Sequence, residues 1–257
     1  MSKRFPTGVV IVVIVAALAA AAFINLGFMD FSRWGLGFRN LAVFSKELFP
    51  PHWDVLPVLL PAIWETIQIS FAGTILGFLL SLPLAFLGTH TLFDQFITTL
   101  VRGLVGAIRT VPSILFGIIF VIAVGLGPKA GVLGVALYTV GYLAKIYYEA
   151  FEAVDGEVIE AVRSTGCNRL QLFRFAILPE TFNTLISQLL FMFEYNIRAS
   201  TIMGFVGAGG IGYYLVGYVQ MLQYQHLMMA IILIFVVIMV IDFISFKIRA
   251  RISAPRH

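Results

Sequence analysis

The sequence predicts an all-α, polytopic integral membrane protein of about six transmembrane helices, and three observations lead there. Of the 257 residues, 60% are hydrophobic and only 12% are Asp, Glu, Lys or Arg, with a mean hydropathy of +0.97; an ordinary soluble domain is about 45–50% apolar and about 25% charged. The apolar residues gather into runs close to the ~20 residues that a helix needs to cross ~30 Å of hydrocarbon. These runs do not alternate apolar with polar, and a backbone in lipid must satisfy its own hydrogen bonds, so helices fit them and barrel strands do not.

From the N-terminus, the runs place spans at 8–29, 62–87, 100–124, 132–148, 181–201 and 227–246. The first follows Lys3 and Arg4 and contains Ala19-Ala20-Ala21, which would suit a cleavable signal peptide; its apolar run continues to Met29, too long for a signal core, and this favours an anchor helix. Residues 30–61 interleave Trp34, Phe44, Phe49 and Trp53 with Arg39, Lys46, Glu47 and Asp54, a mixture suited to the headgroup layer. The chain therefore divides into an anchor helix with an external interfacial segment (1–61), a transmembrane domain (62–246) interrupted by a cytoplasmic loop (150–180), and a basic tail (247–257).

Several residues inside the spans call for a reason. Gly73 and Gly77 form a small-xxx-small pair, the ordinary mark of helix packing in lipid. In the third span, Pro112 would kink or break the helix and turn backbone groups of Arg109-Thr110-Val111-Pro112-Ser113 toward a cavity; by position alone Arg109 would snorkel at the inner interface. Arg198 follows Glu194 by four residues in the favourable acid-first order, and reads either as an internal pair or as a cation on an anion route with Glu194 holding it. The stretch from Gly204 to Gly212, with Gly207, Gly209 and Gly210, is too rich in glycine for a helix interior and reads as a turn or a close backbone approach. No Gly-Lys-Ser/Thr follows it, so it is no phosphate loop for ATP. Asp242 reads as an interface residue at the inner end of the last span.

An even number of spans puts the N-terminus and the loop at 150–180 on one side. Arg33, Arg39, Lys46, Lys129 and Arg198 fall on the opposite side and the remaining twelve of the 17 Lys and Arg on the first, which makes the first cytoplasmic along with both termini. The net charge of +4 is spread over the ends of apolar runs and forms no basic stripe, so topology explains it and nucleic acid does not. Cys167 stands alone and cannot form an intrachain disulfide; His52, His90, His226 and His257 are far apart in sequence without metal-ligand grouping. No Ser/His/Asp set or paired catalytic carboxylates stand out, and the chain is expected to catalyse nothing and to bind no metal or cofactor.

The loop at 150–180 carries the strongest signal. Asp155 can cap a short helix, Glu157 suits its positive end and Gly166 can end it. Helical spacing puts Val158, Ala161, Val162 and Thr165 on one face and Glu157, Glu160 and Ser164 on another. Asn168 and Gln171 look like a second cap, opening a helix that Pro179 would break after Leu178. A short amphipathic helix held between two spans can carry a push from a cytoplasmic partner into the bilayer.

The run Glu160-Ala161-Val162-Arg163-Ser164-Thr165-Gly166, nine further residues, then Ala176-Ile177-Leu178-Pro179, resembles the signature loop of ATP-binding-cassette import permeases, with Val162 and Ala176 standing where a small residue and Ile are usual. The stretch at 109–113, Val124 to Gly131, and Glu194 to Ala199 leading into the glycines are similar to permeases of the phosphonate-import family, from about Pro61 to Arg251. The resemblance implies a type I importer fold and a homodimer of this subunit. It implies two copies of a separate ATPase, which would bind ATP and Mg, and an external binding protein delivering a phosphonate, phosphite or phosphate. It assigns Glu160, Ala161, Gly166, Leu178 and Pro179 to ATPase coupling. Arg109, Pro112, Ser113, Glu194, Arg198, Gly207, Gly209 and Gly210 are the candidates for the route through the membrane. A methionine- or other amino-acid-type importer shares this architecture, and a secondary transporter or channel would work without an ATPase.

Overall fold

The computed structural model describes residues 7–252, so Lys3, Arg4, Arg256 and His257, with their expected roles, lie outside it. The described residues form helices and no strands, in two units, one ending at Pro50 and one beginning at Pro51.

The first unit holds α1 (Thr7–Asn25) and α2 (Phe31–Glu47). The side chains described in α1 are all exposed and, up to the terminal Asn25, apolar or small, as suits a helix surrounded by lipid. It ends earlier than the expected 29, because Gly27 turns the chain at φ +72°. Beyond it Arg33 pairs with Asp30 at 3.0 Å and the Trp34 indole donates to the Phe28 carbonyl at 3.0 Å. The hydrogen bond from the Ser32 hydroxyl holds the Asp30 carboxyl below its usual range, Arg33 adding to it. The interfacial segment is thus mostly helix.

The second unit starts with a single 3₁₀ turn, Trp53–Val55, and continues through α3 (Leu56–Leu87), α4 (Gln95–Thr110), α5 (Ser113–Val124), α6 (Pro128–Glu152), α7 (Gly156–Arg163), α8 (Arg169–Leu172), α9 (Leu178–Gly204), α10 (Ile211–Gln220) and α11 (Tyr224–Ile252). Five helical stretches of the described chain are long and apolar enough to span, and the pair α4–α5, bent by 90°, makes six if the two together count as one span. The kink or break expected at Pro112 within 100–124 is thus a sharp bend between two helices. Val111 adopts an extended conformation ahead of Pro112, as the proline ring demands, and the Leu115 N–H returns to the Pro112 carbonyl at 3.0 Å to start α5.

Pro179 does not break a helix, contrary to expectation. One π turn, Phe173–Ile177, joins α8 to α9, and Pro179 occupies the first turn of α9, where a missing N–H costs nothing.

At the centre α3 lies against α6. A Cβ added at Gly73 would sit 2.5 Å from Val135 Cγ1, and one at Gly77 2.5 Å from the Thr139 Cβ, so both glycines serve close packing. Beside them Asn196 of α9 donates to Thr74 Oγ1 and Thr139 Oγ1, each at 2.8 Å, and Ser70 meets Ser200 at 2.7 Å. Lipid gives no hydrophobic drive for helices to associate, so this contact and these buried hydrogen bonds hold α3, α6 and α9 together.

Candidate functional site

The α7–α8 segment is built by local rules. The Asp155 carboxylate accepts from the Glu157 N–H at 2.9 Å, and Asn168 and Gln171 form a reciprocal capping box with both bonds at 2.9 Å. Gly166 turns the chain between the two helices at φ +76°. Val158, Ile159 and Val162 face the core made by Leu92, Phe151, Leu172 and Ala176. Ala161 and Thr165, expected on that apolar face, are exposed, and Ile159 takes their place because the helix presents its 158–159–162 edge inward. Glu157, Glu160, Ala161, Ser164 and Gly166 are left facing outward, with Leu170 and Phe175 also exposed. Leu178 is half-buried against the same core and Pro179 is exposed.

This segment is fastened to the ends of the spans. The Arg163 guanidinium donates to the Thr91 carbonyl at 3.3 Å, and Arg169 lies 5.3 Å from the Phe93 ring centre. Behind them Glu152 accepts from Arg102 at 2.5 Å and from the His90 N–H at 2.6 Å, while Arg102 also donates to the Gly88 carbonyl and covers the Tyr148 ring. The ends of α3 and α6, Arg102 of α4 and the α7–α8 segment therefore form one connected cluster.

The cations considered for a route lie on α4 and α9. Arg109 is exposed, and a Cβ at Gly141 would stand 3.1 Å from its Cγ; Gly141 is about 20 Å along α6 from its start, near the midpoint. Tyr138, one turn earlier, stacks on Tyr195 with centroids 5.6 Å apart and 18° between planes. Arg198 stands three residues beyond Tyr195 on α9, so both arginines flank this stacked pair. Arg198 keeps its expected partner, Nη2 lying 2.7 Å from Glu194 Oε1, with side-chain exposures of 46% and 11%. Arg249 lies 3.9 Å from both Glu194 and Asp242, making the pair a small network. Pro112 is exposed and Ser113 half-buried at the bend.

The glycines form the opposite end of α9. Gly207, Gly209 and Gly210 all have positive φ, in a turn from α9 into α10. The Gly210 N–H donates to Glu65 Oε1 at 3.0 Å and the Ile211 N–H to Thr66 Oγ1 at 2.8 Å, so side chains of α3 cap the start of α10. Gly127 N–H bonds the Gly207 carbonyl at 2.8 Å. The turn follows Gly204, six residues or about 9 Å of helix rise beyond Arg198 on α9.

Glu65, Thr66, Ile159, Arg102 and Glu152 were not singled out in the sequence. Of these, Ile159 had a local signal, its position beside Val158 on the apolar edge of α7. The expectation that the histidines lack grouping fails for two of them: ligating atoms of His52, Asp54 and His226 all lie within 4.8 Å of one another.

Residues 73–256 match the profile of a family described as binding-protein-dependent transport system inner membrane component. The chain is 34% identical over 239 residues to the phosphite transport system permease protein PtxC of Stutzerimonas stutzeri, spanning 93% of this chain and 87% of that one. It is 33% identical over 234 residues to the phosphate-import permease protein PhnE of Mycolicibacterium smegmatis, spanning 90% of this chain and 44% of that one. Among solved structures, one of the inward-facing conformations of the MetNI methionine ABC transporter superposes with a TM-score of 0.71 at 22% identity, over 79% of this chain and 99% of that one.

Proposed function

The chain belongs to the family of binding-protein-dependent transport system inner membrane components, and from that premise we propose that it forms the membrane path of an ATP-driven importer for a phosphorus oxyanion: phosphite, a phosphonate or phosphate. One observation carries the cargo assignment, the likeness to a phosphite permease along nearly the whole of both chains. The likeness to the methionine transporter speaks for the fold alone.

In this reading two copies of the chain face each other, and α7 with both termini is cytoplasmic. Two ATPase subunits bind ATP and Mg and engage the outward face of α7, namely Glu160, Ala161 and Gly166, while Leu178 and Pro179 set the start of α9. An external binding protein delivers the anion to the opposite end. The exposed arginines support a second copy. A guanidinium at mid-depth costs ~2.5–3.5 kcal/mol or more if it faces acyl chains, so Arg109 and Arg198 are better placed along a polar seam between copies than against lipid. Closure of the ATPases would draw α7 and its cluster together, and the rigid α3–α6–α9 core would switch the seam from one side to the other.

The test is reconstitution in vesicles with the ATPase and binding protein, measuring ATP hydrolysis and solute uptake with phosphite, methylphosphonate, phosphate or methionine in turn. Stimulation by the phosphorus compounds alone is expected, and stimulation by methionine alone would overturn the cargo. Glu160→Ala is expected to lower uptake at least ~10-fold, about 1.4 kcal/mol of coupling, with the level of folded protein unchanged. Full uptake without any ATPase would leave a secondary transporter instead.

A further inference from the structure

We propose that His52, Asp54 and His226 form a binding site for a divalent transition cation, which clips the turn leading into α3 to the first turn of α11, at the end of the bundle remote from α7. The three residues come from two segments far apart in sequence, yet the His52 N–H donates to the Gln225 carbonyl at 3.4 Å and holds the backbones together. Asp54 Oδ1 is the shared vertex, 3.1 Å from His52 Nδ1 and 4.0 Å from His226 Nε2. The two imidazoles meet edge to face with centroids 5.1 Å apart.

The surroundings prepare the ligands. His226 Nδ1 lies 3.2 Å from Gln223 Oε1, and a proton donated there leaves the Nε2 lone pair free on the side of Asp54. The Tyr218 ring of α10 packs 5.4 Å from His226 and limits its rotation. Burial raises the Tyr218 hydroxyl above its ordinary range, with the charges of Tyr214 and then Asp54 adding to it. A cation bound at ~2.0–2.1 Å by nitrogen and oxygen holds its ligand atoms about 3.3 Å apart. From within 4.8 Å, the required shift is about 1.5 Å at most, available from side-chain rotation since His52 and Asp54 are 49% and 68% exposed. Two imidazoles and one carboxylate suit Zn²⁺, Co²⁺ or Ni²⁺ and disfavour Mg²⁺ and Ca²⁺, and they leave a coordination position for water. Such a clip would stabilise the packing of α11 on α3 without touching Arg109 or Arg198.

The experiment titrates the full chain, purified in detergent through a tag without histidine, with Co²⁺ and Zn²⁺, following heat and the visible absorption of bound Co²⁺. One saturable cation per chain is expected, with affinity lower in acid, since protons compete with the metal for its ligands. His52→Gln and His226→Gln should each weaken binding at least ~100-fold, and Gln223→Ala, which only orients His226, about 10-fold. His90→Gln should leave it unchanged, since His90 bonds Thr98 elsewhere. A matching elution profile on size exclusion will show that each variant is folded. No saturable binding to the parent chain, or equal binding by the double variant His52→Gln/His226→Gln, overturns the proposal.

Discussion

The α7–α8 segment and the glycine turn into α10 both interrupt the long apolar helices, at opposite ends of α9, and they are specified in different ways. In α7–α8 every cap lies within three residues of the group it satisfies: Asp155 with Glu157, Asn168 with Gln171. In the turn, the same need of a helix start is met by Glu65 and Thr66, both |i−j| = 145 away in sequence. One segment can hold its shape while its surroundings move, as a lever must. The other exists only while α3 stands beside it, and so reports whether the bundle is assembled.

The sharpest way to break that contrast is Gly212→Val. A Cβ there would run into the Thr201 carbonyl oxygen and the Gly204 Cα, backbone atoms that cannot step aside. Overpacking against backbone should cost ~3 kcal/mol or more. The variant is expected to lose most of its folded yield in the membrane, and its melting temperature in detergent should drop steeply. A near-normal yield and melting temperature would mean that α9 and α10 do not cross as closely as the glycines require.

Thr66→Val comes next. It keeps the shape of the side chain but leaves the Ile211 N–H, now bonded at 2.8 Å in a fully buried place, without an acceptor. The cost should be about 2 kcal/mol, within the range for an unsatisfied buried donor, read as a lower melting temperature with hydrogen exchange speeding up at the start of α10. Equal exchange in parent and variant would remove α3 as the cap.

This division also explains what could be read from the residues alone. Apolar run length revealed the spans, and the Gly73/Gly77 spacing pointed to close packing, because period and composition are local properties. Asp155 and the Asn168/Gln171 box were legible for the same reason. Pro179 misled because a π turn ahead of it relieved the clash that proline normally causes, and no residue pattern announces that turn. Ala161 and Ile159 changed places because a short helix offers two nearly equivalent apolar edges, and contact with Leu172 and Ala176 decides between them. Glu65, Thr66 and the His52/His226 meeting depend on how α3 lies against α10 and α11, which sequence spacing does not encode. That Arg109 packs beside Gly141 of α6 was likewise not encoded in its spacing.

The smallest effect is the most telling about the lever. Asn168→Ala removes the bond that the Asn168 side chain accepts from the Gln171 N–H, leaving only the backbone N–H of residue 168 to donate to Gln171 Oε1, which should cost ~1 kcal/mol of local stability. Because the box lies within the segment, the melting temperature of the whole protein should barely move, while hydrogen exchange rises from Arg169 to Leu172. Under the proposed function, uptake should then fall more than folded yield, since a frayed α8 would absorb part of the motion that α7 receives. Restoring an acceptor with Asn168→Asp should recover both readouts. If instead the melting temperature fell as far as in Thr66→Val, the coupling segment would be held by its tertiary contacts after all, through Ile159 and Leu172, and the distinction between the two ends of α9 would disappear.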